Sequence, residues 1–100
     1  MDGHPFDPDW TLAPAALLRE VMSERGWTEL TLAAKCATAP GSRWNTPAAL
    51  ARVRAVLDRQ PFTEEIAVMI AAGTGTAVSF WLNAERIYRE ALAAGKTDVT

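Results

Sequence analysis

Two adjacent aromatic residues, Phe80 and Trp81, lie at the start of a helical segment that ends at Leu92. Successive residues of an α-helix lie about 100° apart, so the two rings cannot share one narrow core-facing stripe. The apolar residues fall into two neighbouring sectors of the helical wheel, with Val78, Trp81, Tyr88 and Leu92 in the first and Phe80, Ala84, Ile87 and Ala91 in the second. Together they cover roughly half of the helix, more than the stripe of an ordinary surface helix. We therefore expect this arc to be buried against the rest of a small domain or against a second molecule.

Helix-start and helix-stop signals divide the rest of the chain. Threonines that suit N-cap positions precede four segments with helical periodicity, and Pro47 suits the first turn of one of them. Glycines or a proline follow the segments and supply their stops. The signals predict five helices: about Pro14 to Arg25 before Gly26, Thr28 to Thr38, Thr46 to Arg59 before Pro61, Thr63 to a stop at Gly73 and Gly75, and Thr76 to Gly95.

No segment shows the alternation of a strand, and the longest predicted connection is the loop Thr38 to Asn45, which contains Pro40 and Gly41. The predicted fold class is therefore all-α, a compact bundle of about five helices. One hundred residues suit one domain. We assign residues 1–10, which are acidic and aperiodic, to a flexible N-terminal arm, residues 11–95 to the domain and residues 96–100 to a tail.

Several classes of function lack their sequence signatures. The chain has no signal peptide and no apolar run long enough to span a membrane, which favours the cytoplasm. Its single cysteine, Cys36, suits the apolar side of the second helix, and with the single His4 it cannot make a Cys/His metal cluster. No phosphate-binding loop and no nucleophile paired with a base is present. We expect neither catalysis nor a cofactor nor a metal.

Positive charge is concentrated in the middle of an otherwise acidic chain. Between Lys35 and Gln60, five basic residues accompany one acidic residue, Asp58, so this window carries +4 while the rest of the chain carries −6. The net charge of the whole chain is −2. A local basic segment is a candidate contact surface for nucleic acid, because phosphates respond to the local field.

The third helix is the best candidate for that surface. Its predicted outer side combines small alanines with arginines, which lets a backbone approach a major groove while long side chains contact phosphates or guanine edges. The candidate DNA-binding residues, including the preceding loop, are Arg43, Asn45, Thr46, Ala48, Ala51, Arg52, Arg54 and Arg59. An ordinary solvated helix surface is the alternative for this pattern. Trp44 is expected to anchor the loop on the core, with stacking on a nucleic acid as the alternative.

Four segments resemble the Xre-type helix-turn-helix regulators, and in particular the branch with the antidote proteins of HigA-type toxin–antitoxin systems. They are PAALLRE (14–20), GWTELTLA (26–33), FTEEIA (62–67) and GTAVSFWLNAERIYREAL (75–92). The resemblance covers about Trp10 to Leu92 and implies a lambda-repressor-like bundle that binds operator DNA as a homodimer and represses transcription. It makes the second and third helices the DNA-binding pair, with the third as recognition helix.

This chain departs from that family at three places. The loop before the third helix is expanded, Glu29 replaces a glutamine that often contacts the DNA backbone, and Arg59 to Pro61 replaces a glycine. The leading hypothesis is a homodimeric repressor that binds double-stranded DNA at the nucleoid. The alternatives are an antitoxin that masks a toxin protein and a degenerate member that has lost DNA binding. Phe80, Trp81, Ile87 and Tyr88 are the predicted structural or partner-facing residues.

Overall fold

The computed structural model describes residues 9–98, most of which lie in helices. Two-residue strands, β1 (Trp10–Thr11) and β2 (Thr97–Asp98), precede and follow the helices. The helices are α1 (Pro14–Arg25), α2 (Glu29–Thr38), α3 (Thr46–Leu57), α4 (Glu64–Thr74) and α5 (Val78–Ala93). The predicted all-α class and the five-helix bundle are confirmed for the described residues. The first eight residues of the predicted arm, with His4, lie outside them.

Four of the predicted helix boundaries coincide with their local signals. Gly26 and Gly75 adopt left-handed conformations, with φ of 69° and 75°, and end α1 and α4. Thr28 and Thr63 are N-caps whose hydroxyl oxygens accept hydrogen bonds from the backbone N–H three residues later. Each of these signals acts within one turn of the chain, which is why the sequence alone places them correctly. None of the described helices is long and apolar enough to cross a membrane.

The predicted N-cap of the third helix is wrong by one residue, and its predicted end is wrong by two. Asn45, rather than Thr46, is the N-cap of α3, because its Oδ1 accepts a hydrogen bond of 2.8 Å from the backbone N–H of Ala48. Thr46 is therefore the first helical residue and Pro47 the second, where the missing proline N–H is still tolerated. The helix ends at Leu57 and not at Arg59, whose φ of 66° is incompatible with an α-helix.

Two further boundary predictions are wrong because tertiary packing uses the residues differently. Gly73 lies inside α4, where it allows a close approach to Cys36 of α2. Thr76 does not cap α5, whose N-cap is Ala77 without a side-chain hydrogen bond. The Thr76 hydroxyl instead accepts a hydrogen bond of 2.7 Å from the indole Nε1 of Trp81. This bond satisfies the polar atom of the largest fully buried side chain.

A short parallel pairing of β1 with β2 was not predicted. Trp10 lies opposite Thr97, and Thr11 lies opposite Asp98. Two residues per strand are too few to show an alternating pattern, so the sequence contains no signal for them. The pairing brings residues assigned from sequence to the arm and the tail together beside α5.

The core lies between α1, α2, α3, α4 and the first half of α5. Trp81 is fully buried and stacks on Phe62, with ring centroids 5.5 Å apart, and it forms a T-shaped pair with Phe80, with ring centroids 4.8 Å apart. The other large, fully buried side chains come from several helices and are Leu18, Leu32, Cys36, Val53, Val56 and Ile70. The two aromatics that open α5 therefore separate, with Trp81 in the core and Phe80 about half exposed.

Candidate nucleic-acid interface

The outer side of α3 is a strip of alanines between two arginines. The inner side of the helix is held by the buried residues Ala49, Val53, Val56 and Leu57. On the opposite side Ala51 is exposed, and Ala48 and Ala55 are partly exposed. Arg52 and Arg54 are both exposed and lie on the two flanks of this strip. The strip is narrow and carries no large side chain, so another molecule can approach the helix backbone closely.

Packing against α2 fixes the orientation of α3. α2 is packed most extensively on α3 and also lies against α4. Its buried residues are Leu32, Ala33 and Cys36. Because the inner sides of both helices are apolar and buried, the outer side of each faces solvent.

The loop between α2 and α3 is anchored by its tryptophan. Trp44 is partly buried and packs against the main core cluster, as expected for an anchoring residue. Its backbone N–H donates to Ser42 Oγ at 3.1 Å, and Gly41 supplies a turn with φ of 77°. Arg43 is exposed, and among the described residues it makes no hydrogen bond or ion pair. The loop thus holds one arginine at the N-terminal end of α3.

Arg52 is positioned by that same tryptophan. Its guanidinium carbon lies 5.8 Å from the centroid of the Trp44 ring, within the range of a cation–π contact. Within the described chain no carboxylate pairs with Arg52, so its positive charge remains uncompensated at the surface. Trp44 therefore connects the loop, the core and one flank of the alanine strip.

Arg54 on the other flank has an acidic partner. Its Nε donates a hydrogen bond of 3.0 Å to Oε1 of Glu29, the first residue of α2. The side chains remain 64% and 41% exposed, respectively, so the pair lies at the surface. Sequence reasoning identified both residues but not their contact, because 25 residues separate them and only the packing of α2 on α3 brings them together.

Arg59 belongs to a different cluster from the other candidate residues. Its Nε donates to Oδ2 of Asp98 at 2.8 Å, and its backbone carbonyl accepts a hydrogen bond from Arg89. Asp98 also accepts a hydrogen bond from the Tyr88 hydroxyl. Burial, and then the hydrogen bond and charge of Asp98, raise the pKa of Tyr88. The structure brings the remaining candidates together around the first three turns of α3. Arg59 instead lies in the hydrogen-bonded contact between α5 and β2.

Two concave regions flank the bundle. A cleft of about 270 Å³ beside the α2–α3 loop has mixed walls that include Cys36, Arg43, Trp44, Glu64 and Glu65. Burial raises the pKa of the Cys36 thiol to about 11, so the thiol is protonated at neutral pH and is a poor nucleophile. The described residues contain no cluster of side chains suited to a metal ion.

The second concavity is an apolar groove, which sequence reasoning identified only in part. It has a volume of about 430 Å³ and no charged residue in its lining, which consists of Trp10, Leu12, Leu17, Phe80, Asn83, Ala84 and Ile87. Of the four residues predicted to be structural or partner-facing, Phe80 and Ile87 are exposed, whereas Trp81 and Tyr88 are buried. The contributions of Trp10 and Leu12 depend on the unpredicted β1–β2 pairing.

Comparison with known proteins adds no constraint to these sites. No family model, no curated protein and no solved structure matches the chain.

Proposed function

We propose that the chain is a sequence-specific regulator that binds double-stranded DNA and represses transcription as a homodimer in the cytoplasm, at the nucleoid. The observation that carries this proposal is the outer side of α3, where the small side chains of alanines lie between Arg52 and Arg54. A helix of this kind fits the major groove of B-DNA, which is wide enough for one α-helix. Arginine supplies both the phosphate contacts that position a protein and the bidentate contact to guanine that gives specificity.

The neighbouring residues support the same orientation of the helix. Arg43 lies at the N-terminal end of α3, where the helix dipole adds a partial positive charge. Recognition helices commonly contact DNA through their N-terminal residues. Asn45, whose Oδ1 is used by the cap, keeps its amide N–H groups as donors for a phosphate.

The apolar groove supports a second copy as the partner. Phe80 and Ile87 are two helical turns apart on α5, with the small Ala84 between them. If two copies of α5 packed antiparallel about a two-fold axis near Ala84, Phe80 of each copy would lie on Ile87 of the other. A surface that is complementary to itself in this way suits an isologous dimer. Because the lining has no charge, such pairing brings no like charges together.

The test of the proposed function is direct binding to DNA. Purified protein would be titrated against the DNA upstream of its own gene and against a scrambled duplex of the same composition, over a salt series. We expect preference for the upstream DNA and a loss of affinity as salt rises, because each neutralised phosphate releases counterions. Equal and weak binding to both duplexes at every salt concentration contradicts the proposal and favours a protein that has lost DNA binding.

A second candidate function is an antitoxin that masks a toxin protein, and the apolar groove is the observation that favours it. Outside the basic window the chain carries −6, which suits a basic partner. The discriminating observation is a small toxin-like reading frame beside the gene whose product binds this chain. If an Ile87→Asp substitution abolished that binding while the wild-type chain alone stayed monomeric, the groove would be a toxin-binding surface.

A further inference from the structure

The contact between Glu29 and Arg54 has a consequence for specificity. We propose that Glu29 is a positioning residue that makes Arg54 a guanine-contacting side chain rather than a general phosphate-binding one. The inference rests on the proposed function, since it assigns roles within the same α3 surface. It concerns a pair of residues on two helices, and only their packing brings the pair together.

The geometry of the pair leaves one edge of the guanidinium available. Glu29 accepts its hydrogen bond from Nε, at 3.0 Å, and in the described chain the two Nη nitrogens of Arg54 have no hydrogen-bond partner. A guanidinium is planar, so a carboxylate held at Nε fixes the direction in which the Nη nitrogens point. Their N–H groups form a fork that matches O6 and N7 of guanine in the major groove.

The negative charge of Glu29 also favours base-specific over sequence-independent binding by Arg54. Sequence-independent binding depends on the cationic groups that neutralise phosphates, and an arginine that already has a carboxylate partner contributes little to it. Hydrogen bonds to a guanine edge do not require a net positive charge. Glu29 therefore lowers attraction to any DNA while it preserves one base contact, which increases discrimination between sequences.

The start of α2 keeps Glu29 in place. Thr28 is the N-cap, so Glu29 is the first helical residue, where the helix dipole favours a negative charge. A carboxylate on the first residue of α2 repels a phosphate, which makes this helix terminus a poor phosphate site. α2 is thus expected to hold Arg54 through Glu29 without binding the DNA backbone at its own N-terminus.

The proposal can be tested by selecting preferred duplexes from a random-sequence library with the wild-type chain and five variants. We expect Arg54→Ala and Glu29→Ala to lose preference at the same guanine, with discrimination against a substitution there falling roughly 10- to 100-fold. Glu29→Gln should keep that preference, because its amide oxygen can still accept from Nε. Arg54→Lys should lose it although the positive charge remains, since an ammonium group has no planar fork.

Asp58→Asn is the matched control for charge. Asp58 is exposed at the end of α3, and its substitution removes one negative charge without changing a contact to Arg54. We expect this variant to keep the selected sequence. Glu29→Gln and Glu29→Ala should both bind the scrambled duplex more tightly than wild type. The slope of log K against log salt concentration should be steeper by about 0.9 per bound protomer.

Two results would overturn the proposal in different ways. If wild type enriches a sequence and Glu29→Ala enriches the same sequence with equal discrimination, Glu29 does not position Arg54. If Glu29→Ala loses preference at a base other than the one affected by Arg54→Ala, Glu29 again does not position Arg54. If wild type enriches no sequence at all, the proposed function itself fails, and this inference fails with it.

Discussion

At the scale of single residues, three arginines that look alike in the sequence have different neighbours in the folded chain. Arg52 lies over the Trp44 ring, Arg54 pairs with Glu29, and Arg59 pairs with Asp98 in a left-handed backbone conformation. Their wheel positions gave them one predicted role, but only Arg52 lacks a carboxylate partner within the described residues. We therefore expect Arg52 to contribute more to DNA affinity than Arg54 or Arg59.

The first prediction concerns Arg52→Ala. This substitution should weaken binding to the preferred DNA by about 1–3 kcal/mol if the arginine contacts a base edge, and should leave the fold intact because the side chain is exposed. Binding would be measured by fluorescence anisotropy at fixed salt. Arg86→Ala is the control, since it removes an exposed arginine on α5 outside the groove lining. Equal losses for both variants would mean that overall charge, rather than the α3 surface, controls binding.

Cys36 leads to a prediction about stability at high pH. Burial raises its thiol pKa to about 11, whereas an unfolded cysteine ionises near pH 8.5. Below about pH 8.5 the Cys36 thiol is protonated in both the folded and the unfolded chain, so its ionisation does not lower the free energy of unfolding. Between about pH 8.5 and 11 only the unfolded chain releases the proton, so the free energy of unfolding should fall as pH rises.

The measurement is a series of urea unfolding curves across that pH range for wild type and Cys36→Ala. The variant should show a shallower fall between pH 8.5 and 11, even if it is less stable at neutral pH. Tyr88, whose pKa is also raised, contributes equally to both proteins and cancels in the comparison. Parallel curves for the two proteins would show that the Cys36 thiol ionises alike in the folded and unfolded states.

At the scale of helices, the accuracy of sequence prediction depended on how local each signal was. The caps at Thr28 and Thr63 and the stop at Gly75 involve hydrogen bonds within one turn, and they were placed correctly. Asn45 and Thr46 are neighbours that both suit an N-cap, and the residue chosen from sequence was the wrong one. The sequence predicts a stop at Gly73, because no local signal shows that α2 passes against it.

The close approach of α2 to α4 gives the second stability prediction. A Cβ at position 73 would lie 2.5 Å from Cys36 Sγ and 3.0 Å from the Cys36 backbone nitrogen, so α2 would have to shift. Gly73→Ala should therefore destabilise the protein by about 1–3 kcal/mol, although alanine normally stabilises a helix interior by about 1 kcal/mol relative to glycine. Guanidinium unfolding measures the difference.

A double-mutant cycle identifies the cause of that loss. In a Cys36→Ala background the clash with Sγ is absent but the backbone contact remains, so Gly73→Ala should cost less without becoming stabilising. Ala72→Gly on the exposed side of α4 is the control for helix propensity and should cost about 1 kcal/mol. If Gly73→Ala stabilised the protein, α2 and α4 would not be in the close contact described.

At the scale of the whole molecule, the two candidate surfaces are formed by different elements. α1 lies against both α3 and α5, and the groove made by α1, β1 and α5 has no residue of α3 in its lining. Association through the groove would leave α3 exposed in both copies, as binding to two half-sites requires. The sequence indicated the apolar side of α5, but the groove also needs Trp10, which the pairing of β1 with β2 brings there. Pairing between the two ends of a chain has no local signal.

The last prediction is that the groove is the dimer interface. Ile87 is 54% exposed in its lining, and in the antiparallel arrangement of two α5 helices it would contact Phe80 of the second copy. Ile87→Asp would place an unpaired carboxylate in that contact, which is unfavourable because a buried charge loses its hydration. We expect wild type to sediment as a dimer and the variant as a monomer with weaker binding to a two-half-site operator.

Val68→Asp is the matched control for Ile87→Asp. Val68 lies on α4 outside the groove and is 50% exposed, so the same apolar-to-acidic change should leave the dimer intact. Sedimentation equilibrium at several protein concentrations distinguishes the outcomes, and circular dichroism checks that both variants stay helical. If Ile87→Asp remained dimeric while Val68→Asp became monomeric, the two copies would meet at α4, and the groove would be left for another protein.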